Sequence, residues 1–258
     1  MVDTHCHLGL CEPDDGELVA LAEQAGVRRM LSVGIHAAAS REAVAAAEAH
    51  QSVFACAGRH PNGTTGFDDA DAAEIEEIAG HPRVAAIGET GLDYYRDRAP
   101  REDQRRAFSA QIEIARRLGK PLVIHVRDGS EQTDGEALAE TFELLGEEAG
   151  GVTVVLHCFS APAKRAREAG ELGWYCSFAG NLTYRRSEPL REAAAVVSDE
   201  LLLVETDAPF LAPQPYRGKP NQPANVVATA AALAEIRGVT YEELEAQVET
   251  NARRCFGW

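Results

Sequence analysis

The segment Asp3-Thr4-His5-Cys6-His7 places a carboxylate and two imidazoles within five residues near the start of a 258-residue chain. On an extended backbone successive side chains alternate between faces, so His5 and His7 share one side and Cys6 takes the other. Neutral imidazoles converging in this way suit a divalent cation such as Zn²⁺ or Mn²⁺. Alone, the pair equally fits satisfied polar groups at a strand end. Further donors separate the two readings. Glu89 closes VAAIGE, His125 closes LVIH, His157 closes VTVVLH, and Glu205 and Asp207 close LLLVETD. Any one histidine at the end of a buried strand commonly bonds only to backbone. The recurrence of metal-capable residues at the same end of different strands points instead to a shared site. Four histidines, Glu89 and Asp207 provide donors for two ions with a bridge. His60, in GRHPN, fits a contact to substrate or metal and fits a turn residue nearly as well. His36, His50 and His81 fall in or beside helical stretches and read as structural or solvent-facing.

The elements that must position these groups follow from apolar patterning. Short apolar or β-branched runs lie at Val2–His5, Met30–Ile35, Ser52–Ala57, Val84–Gly88, Leu122–His125, Thr153–His157, Trp174–Phe178 and Leu201–Glu205, eight candidate strands in all. Between them lie stretches with helical spacing, including DDGELVALAEQAG, SREAVAAAEAH, DDADAAEIEEIAG, REDQRRAFSAQIEIARRLG and GEALAETFELLGEE. Several open on Asp or Ser and close on Gly, as helix boundaries do. Strand–helix alternation calls for a parallel sheet, and eight strands in a chain of this length match a (β/α)₈ TIM barrel, with an open doubly wound sheet as the second reading. The C-terminal ends of barrel strands meet at one mouth, which makes neighbours of residues far apart in sequence. No linker or internal repeat divides residues 1–258, so one domain is expected. Five of the twelve prolines lie in APFLAPQPYRGKPNQPANV, Ala208 to Val226, a long loop at a functional strand end.

Composition limits the alternatives. Apolar residues make up 45% and charged residues 26%, ordinary values for a folded globular chain. No apolar run spans a bilayer and no targeting segment opens the chain, so a cytoplasmic location is expected. Six scattered cysteines without a C-x-x-C read as free thiols. A formal charge of −16 excludes nucleic-acid binding by bulk attraction and leaves room only for local contacts. That total counts the carboxylates of the mouth without any cations they hold.

The motifs DTHCHL (3–8), GRHP (58–61), IGETGLDYYR (87–96), Gln104 with its helix, LVIHVR (122–127), LHCFS (156–160), ETDAPFLAP (205–213) and RGKPNQP (217–223), in this order, resemble the TatD family of metal-dependent deoxyribonucleases in the amidohydrolase superfamily. The resemblance implies a distorted barrel. It implies one metal on His5, His7, Glu89 and Asp207 and a second on Glu89, His125 and His157, with Glu89 as bridge. His60 and Glu205 would stand behind these ligands or hold a further ion. Two departures stand out: Ala161 follows HCFS where the family usually has glycine, and Gln222 replaces a glutamate in the RGxxNEP loop, which leaves a loop-contact role for Asn221 and removes an Arg–Glu pairing.

The expected chemistry is hydrolysis of DNA phosphodiesters, exonuclease-type, on two divalent ions (Mg²⁺, Mn²⁺ or Zn²⁺), with Asp207 and Glu89 as catalytic carboxylates. Arg217 is the expected phosphate clamp, with Lys219, Arg127 and Arg96 as further cations. The substrate would be single-stranded DNA or DNA ends, held weakly by a monomer. Tyr94, Tyr95, Phe159, Phe210 and Tyr216 could stack on bases or serve packing. The alternatives are an ester, lactone or amide hydrolase on the same metals and a non-catalytic metal-binding interaction protein.

Overall fold

The computed structural model describes residues 1–129 and 134–258. Eight parallel strands run in sequence order around one sheet: β1 (Val2–Cys6), β2 (Arg29–Val33), β3 (Val53–Ala57), β4 (Val84–Asp93), β5 (Leu122–Arg127), β6 (Val154–Leu156), β7 (Tyr175–Phe178) and β8 (Leu202–Val204). Nine α-helices accompany them among the described residues: α1 (Asp15–Gln24), α2 (Ala37–Ala49), α3 (Asp69–Ala79), α4 (Arg101–Leu118), α5 (Glu136–Glu148), α6 (Ala163–Glu171), α7 (Glu188–Val196), α8 (Val226–Arg237) and α9 (Tyr241–Phe256). The sheet curls into a nearly closed (β/α)₈ barrel, as the alternating pattern requires. All eight expected strands are present.

Two boundaries differ from the sequence reading, each for a local reason. Helix α2 begins before Ser40, because His36 accepts a hydrogen bond from Ala39 N and serves as the N-cap, while Ser40 turns inward and its hydroxyl accepts from Gly58 N. Strand β4 does not end at Gly88 but continues to Asp93. Its register against β5 advances three residues, Ile87 to Thr90, while β5 advances two, Leu122 to Ile124. The extra residue is a bulge at Gly88–Glu89 that redirects the glutamate side chain. Both flanking glycines are required. A Cβ at Gly88, φ +134°, would lie 2.5 Å from Val123 O, and one at Gly91, φ +133°, would lie 2.1 Å from His125 O. IGETG is therefore the sequence cost of pressing β4 against β5 with a glutamate between.

Helix α4 braces this strand from outside the barrel through two buried glutamines. Gln104 accepts from Asp93 N and donates to Ala99 O, while Gln111 accepts from Arg59 N and donates to Thr90 Oγ1. Such polar groups are tolerated in a core because their donors and acceptors are filled.

The barrel closes between β8 and β1 by a different device from its other seams. One isolated parallel bridge, Cys6 with Ala208, replaces a ladder, supported by Asp207 N donating to His5 O and His7 N to Ala208 O. Below it the fully buried Asp3 accepts from Thr206 N at 2.9 Å and lies 2.6 Å from Thr206 Oγ1. Thr4 Oγ1 donates to Val204 O. Burial pushes the Asp3 carboxyl up to about 8, against the hydrogen bonds that favour its charge.

This shift predicts a pH slope. The folded metal-free protein keeps a proton on Asp3 that the unfolded chain has released above its ordinary pKa of about 4. The stability from that proton is complete below this value and is lost as pH rises through about 8, at up to roughly 1.4 kcal/mol per pH unit. Denaturant melts across this window should show a shallower decline for Asp3→Asn, whose amide still accepts from Thr206 N; equal slopes would assign the pH dependence elsewhere.

Candidate metal centre at the barrel mouth

The C-terminal strand ends bring His5, His7, His60, Glu89, Asp93, His125, His157 and Asp207 into one buried cluster. Its centre is Glu89, 3% exposed. One oxygen, Oε2, faces His5 Nε2 at 3.6 Å and His7 Nε2 at 3.7 Å. The other, Oε1, faces His125 Nδ1 at 2.7 Å and His157 Nε2 at 3.0 Å. Asp207 Oδ1 completes the first group, 3.5 Å from His7 Nε2 and 3.9 Å from His5 Nε2. Asp207 sits at φ +54° and Cys158, next to His157, at φ +45°, left-handed conformations that side chains rarely adopt and that collect at functional sites.

Hydrogen bonds behind the cluster set which nitrogen of each ring carries the proton. His7 Nδ1 donates to Val33 O at 2.9 Å, His157 Nδ1 donates to Glu205 at 3.0 Å, and His125 Nε2 donates to Asp93 Oδ2 at 3.3 Å. The remaining nitrogen of each ring therefore turns a lone pair toward the cluster. The lone pairs of His125 and His157 face a Glu89 oxygen at 2.7 and 3.0 Å, and that of His7 faces Asp207 Oδ1 at 3.5 Å. Electron pairs opposed at such distances repel unless positive charge lies between them. Bound cations would satisfy that demand, and the imidazole–carboxylate donor set suits divalent ones.

The titration behaviour shows the same imbalance. Burial raises the carboxyl of Glu89, but His157, His60 and His125 outweigh it and hold the group well below the usual range. Burial lowers His157, His125 and His7, but facing carboxylates overcome it and all three are raised. His5 is lowered by burial and by the neighbouring His157 charge. The cluster attracts positive charge, as protons or as metal.

His60 is arranged differently. Its Nδ1 accepts from Asn62 N, which leaves the proton on Nε2, 3.6 Å from Glu89 Oε1, and burial lowers its pKa to about 4. In this tautomer its N–H is on the side of Glu89 but beyond hydrogen-bond distance. Glu205 lies behind His157, where Oε1 also accepts from Cys158 N at 2.9 Å. Cys6 faces away from the cluster, its thiol donating to Leu31 O, and the cysteines are all free.

A cavity of about 990 Å³ opens above the cluster. Arg127 lines it together with Arg96 and Arg98, whereas Arg217 and Lys219 do not. Arg217, the expected clamp, lies outside this lining: its guanidinium rests over the Tyr184 ring at 4.3 Å, on an exposed turn closed by Lys219 N donating to Tyr216 O. Asn221 is buried, and its amide donates to Thr206 O and Phe210 O, so it braces the loop that carries Asp207. Of the expected aromatics, Tyr95, Phe159 and Phe210 line the cavity, while Tyr94 is buried and donates to Glu140. Ala161 is buried in the cavity wall without positive φ.

The sequence reading missed Asp93 and Arg98. Asp93 Oδ2 accepts from Asn62 Nδ2 and His125, while Oδ1 accepts from Tyr95 N and Arg96 N. Strand periodicity held the signal, since Asp93 shares a face with Glu89 once β4 is continued four residues.

The model of TatD related DNases matches residues 2–257. An uncharacterized metal-dependent hydrolase, TatD, of Mycobacterium tuberculosis is 40% identical, covering 100% of this chain and 98% of the relative. A protein of Klebsiella pneumoniae named 3'-5' ssDNA/RNA exonuclease TatD is 35% identical over 95% of this chain and 92% of its own. The crystal structure of YjjV, a TatD homologue of Escherichia coli, superposes with a TM-score of 0.89 at 27% identity, covering 100% of this chain and 98% of that one. A buried imidazole–carboxylate cluster at a barrel mouth and similarity over nearly the whole length agree: the chain belongs to the TatD family of metal-dependent hydrolases.

Proposed function

We propose that this hydrolase, a single barrel domain over residues 1–258, is a phosphodiesterase acting on single-stranded DNA or DNA ends. The observation that carries the reading is the division of Glu89, with one oxygen toward His5, His7 and Asp207 and the other toward His125 and His157. His5, His7, Glu89 and Asp207 would hold one divalent ion, and Glu89, His125 and His157 a second, as Mg²⁺, Mn²⁺ or Zn²⁺. Bound there, such ions supply Lewis acidity that yields hydroxide from water at neutral pH and offsets charge on a phosphate.

The chain's own residues do the rest. Asp207, with its carboxyl held low by His7 and the neighbouring imidazoles despite burial, is ionised at neutral pH and is placed to take the proton of the attacking water. Glu205 and Asp93 fix the orientations of His157 and His125. Arg96, Arg98 and Arg127 line the cavity with cations that carry no metal. Guanidinium groups match phosphate oxygens in pairs, which favours phosphodiesters over carboxylic esters, lactones or amides. The K. pneumoniae relative's name, an exonuclease of single-stranded DNA and RNA, supports the same substrate class.

Metal-loaded protein should release mononucleotides from end-labelled single-stranded DNA, and Glu89→Gln should lower kcat by about a thousandfold or more. Cleavage that survives both chelation and this substitution would refute the assignment. A second expectation concerns protons. Because facing carboxylates raise His7, His125 and His157, protons compete with a metal for these rings, so affinity should fall as pH is lowered. Calorimetry in buffers of different ionisation enthalpy should report proton release, and an apparent enthalpy independent of buffer would contradict it.

A further inference from the structure

The cavity has two unlike walls on opposite sides of the barrel mouth. One comes from the ends of β8 and β1 and carries Phe210, Leu211 and Leu10. Phe210 is 51% exposed, with its ring 6.1 Å from that of His7. No lysine or arginine lines the cavity on this side among the described residues. The facing wall comes from the ends of β4 and β5, on the far side of an eight-strand circuit, and carries Tyr95, Arg96, Arg98 and Arg127. Tyr95 is 52% exposed, with the Arg127 guanidinium 4.1 Å from its ring centroid. Asp128, which lines the cavity beside Arg127, is engaged by Gly135 N and Ala137 N at the start of α5. Asp93 ties the cationic wall to the metal cluster, since the same carboxylate accepts from His125 and from the backbone of Tyr95 and Arg96.

Each nucleotide of a strand brings one phosphate, whereas a terminal nucleoside brings none beyond the bond being cut. A cation-free apolar wall facing a wall of three guanidiniums fits an end better than the middle of a strand. We propose that the terminal nucleoside stacks on Phe210 between Leu10 and Leu211, and that the remaining strand leaves across Tyr95 with its phosphates on Arg96, Arg98 and Arg127. This placement rests on the phosphodiesterase reading and adds to it the direction in which the strand crosses the site. Stacking on Tyr95 and Phe210 tolerates any base, so the enzyme reads an end and not a sequence.

The test compares kcat/KM on a long single-stranded oligonucleotide, a dinucleotide and a circular single strand. Replacing Arg96, Arg98 and Arg127 together by Gln should lower the preference for the long strand over the dinucleotide by about tenfold or more, and should flatten the salt dependence of KM for the long strand. Phe210→Ala should lower both linear substrates in similar proportion, by about tenfold. The circle should resist cleavage. A triple variant that depresses the long strand and the dinucleotide equally, or rapid cleavage of the circle, overturns the placement while leaving a phosphodiesterase. Failure of the metal-loaded wild type to cut any phosphodiester, bis(4-nitrophenyl) phosphate included, overturns the phosphodiesterase reading and the placement with it. Metal content and thermal melting of each variant separate loss of fold from loss of contact.

Discussion

A carboxylate removed from water must find positive charge close by, and Glu89 is the place where this chain meets that demand. Five imidazoles surround it, and a carbonyl or carboxylate behind three of them decides which nitrogen faces inward. The arrangement is self-consistent only when cations complete it. Much of the surrounding structure serves that one group: the bulge in β4, the glycines on either side, and the glutamines of α4 that hold the strand in register.

Legibility in the sequence followed from how local each signal was. Strand positions and the cluster members His5, His7, His125, His157 and Asp207 could be read because apolar runs and strand ends are local patterns. Glu89 was recognised although the strand reading stopped too early, since the bulge interrupts the alternation that would have continued β4 to Asp93. His36 replaced the expected serine cap of α2 because an imidazole can accept from a backbone N–H as well as a hydroxyl can. Arginine placement was the least legible feature. A guanidinium on a long side chain goes where packing and turns send it, so Arg217 lies over Tyr184 while Arg98, unremarkable in sequence, lines the cavity.

The acidic surface and the cationic wall are compatible because they act over different distances. Surface carboxylates are screened within about 8–10 Å at ordinary ionic strength. Within the cavity the guanidiniums of Arg96, Arg98 and Arg127 act at contact range, so on the phosphodiesterase reading proposed above attraction would be confined to the mouth.

The seam between β8 and β1 carries a different lesson, one of chain entropy. Asp3 and Thr206 lie about two hundred residues apart, and closing so long a loop is costly, although the cost grows only logarithmically with length. That cost is met once. When the Asp3 carboxyl group engages Thr206, His5 and His7 arrive beside Asp207 with no further loop to close. Closure of this seam and the approach of His5 and His7 to Asp207 are therefore one event, and a chain with an open seam presents no complete cluster.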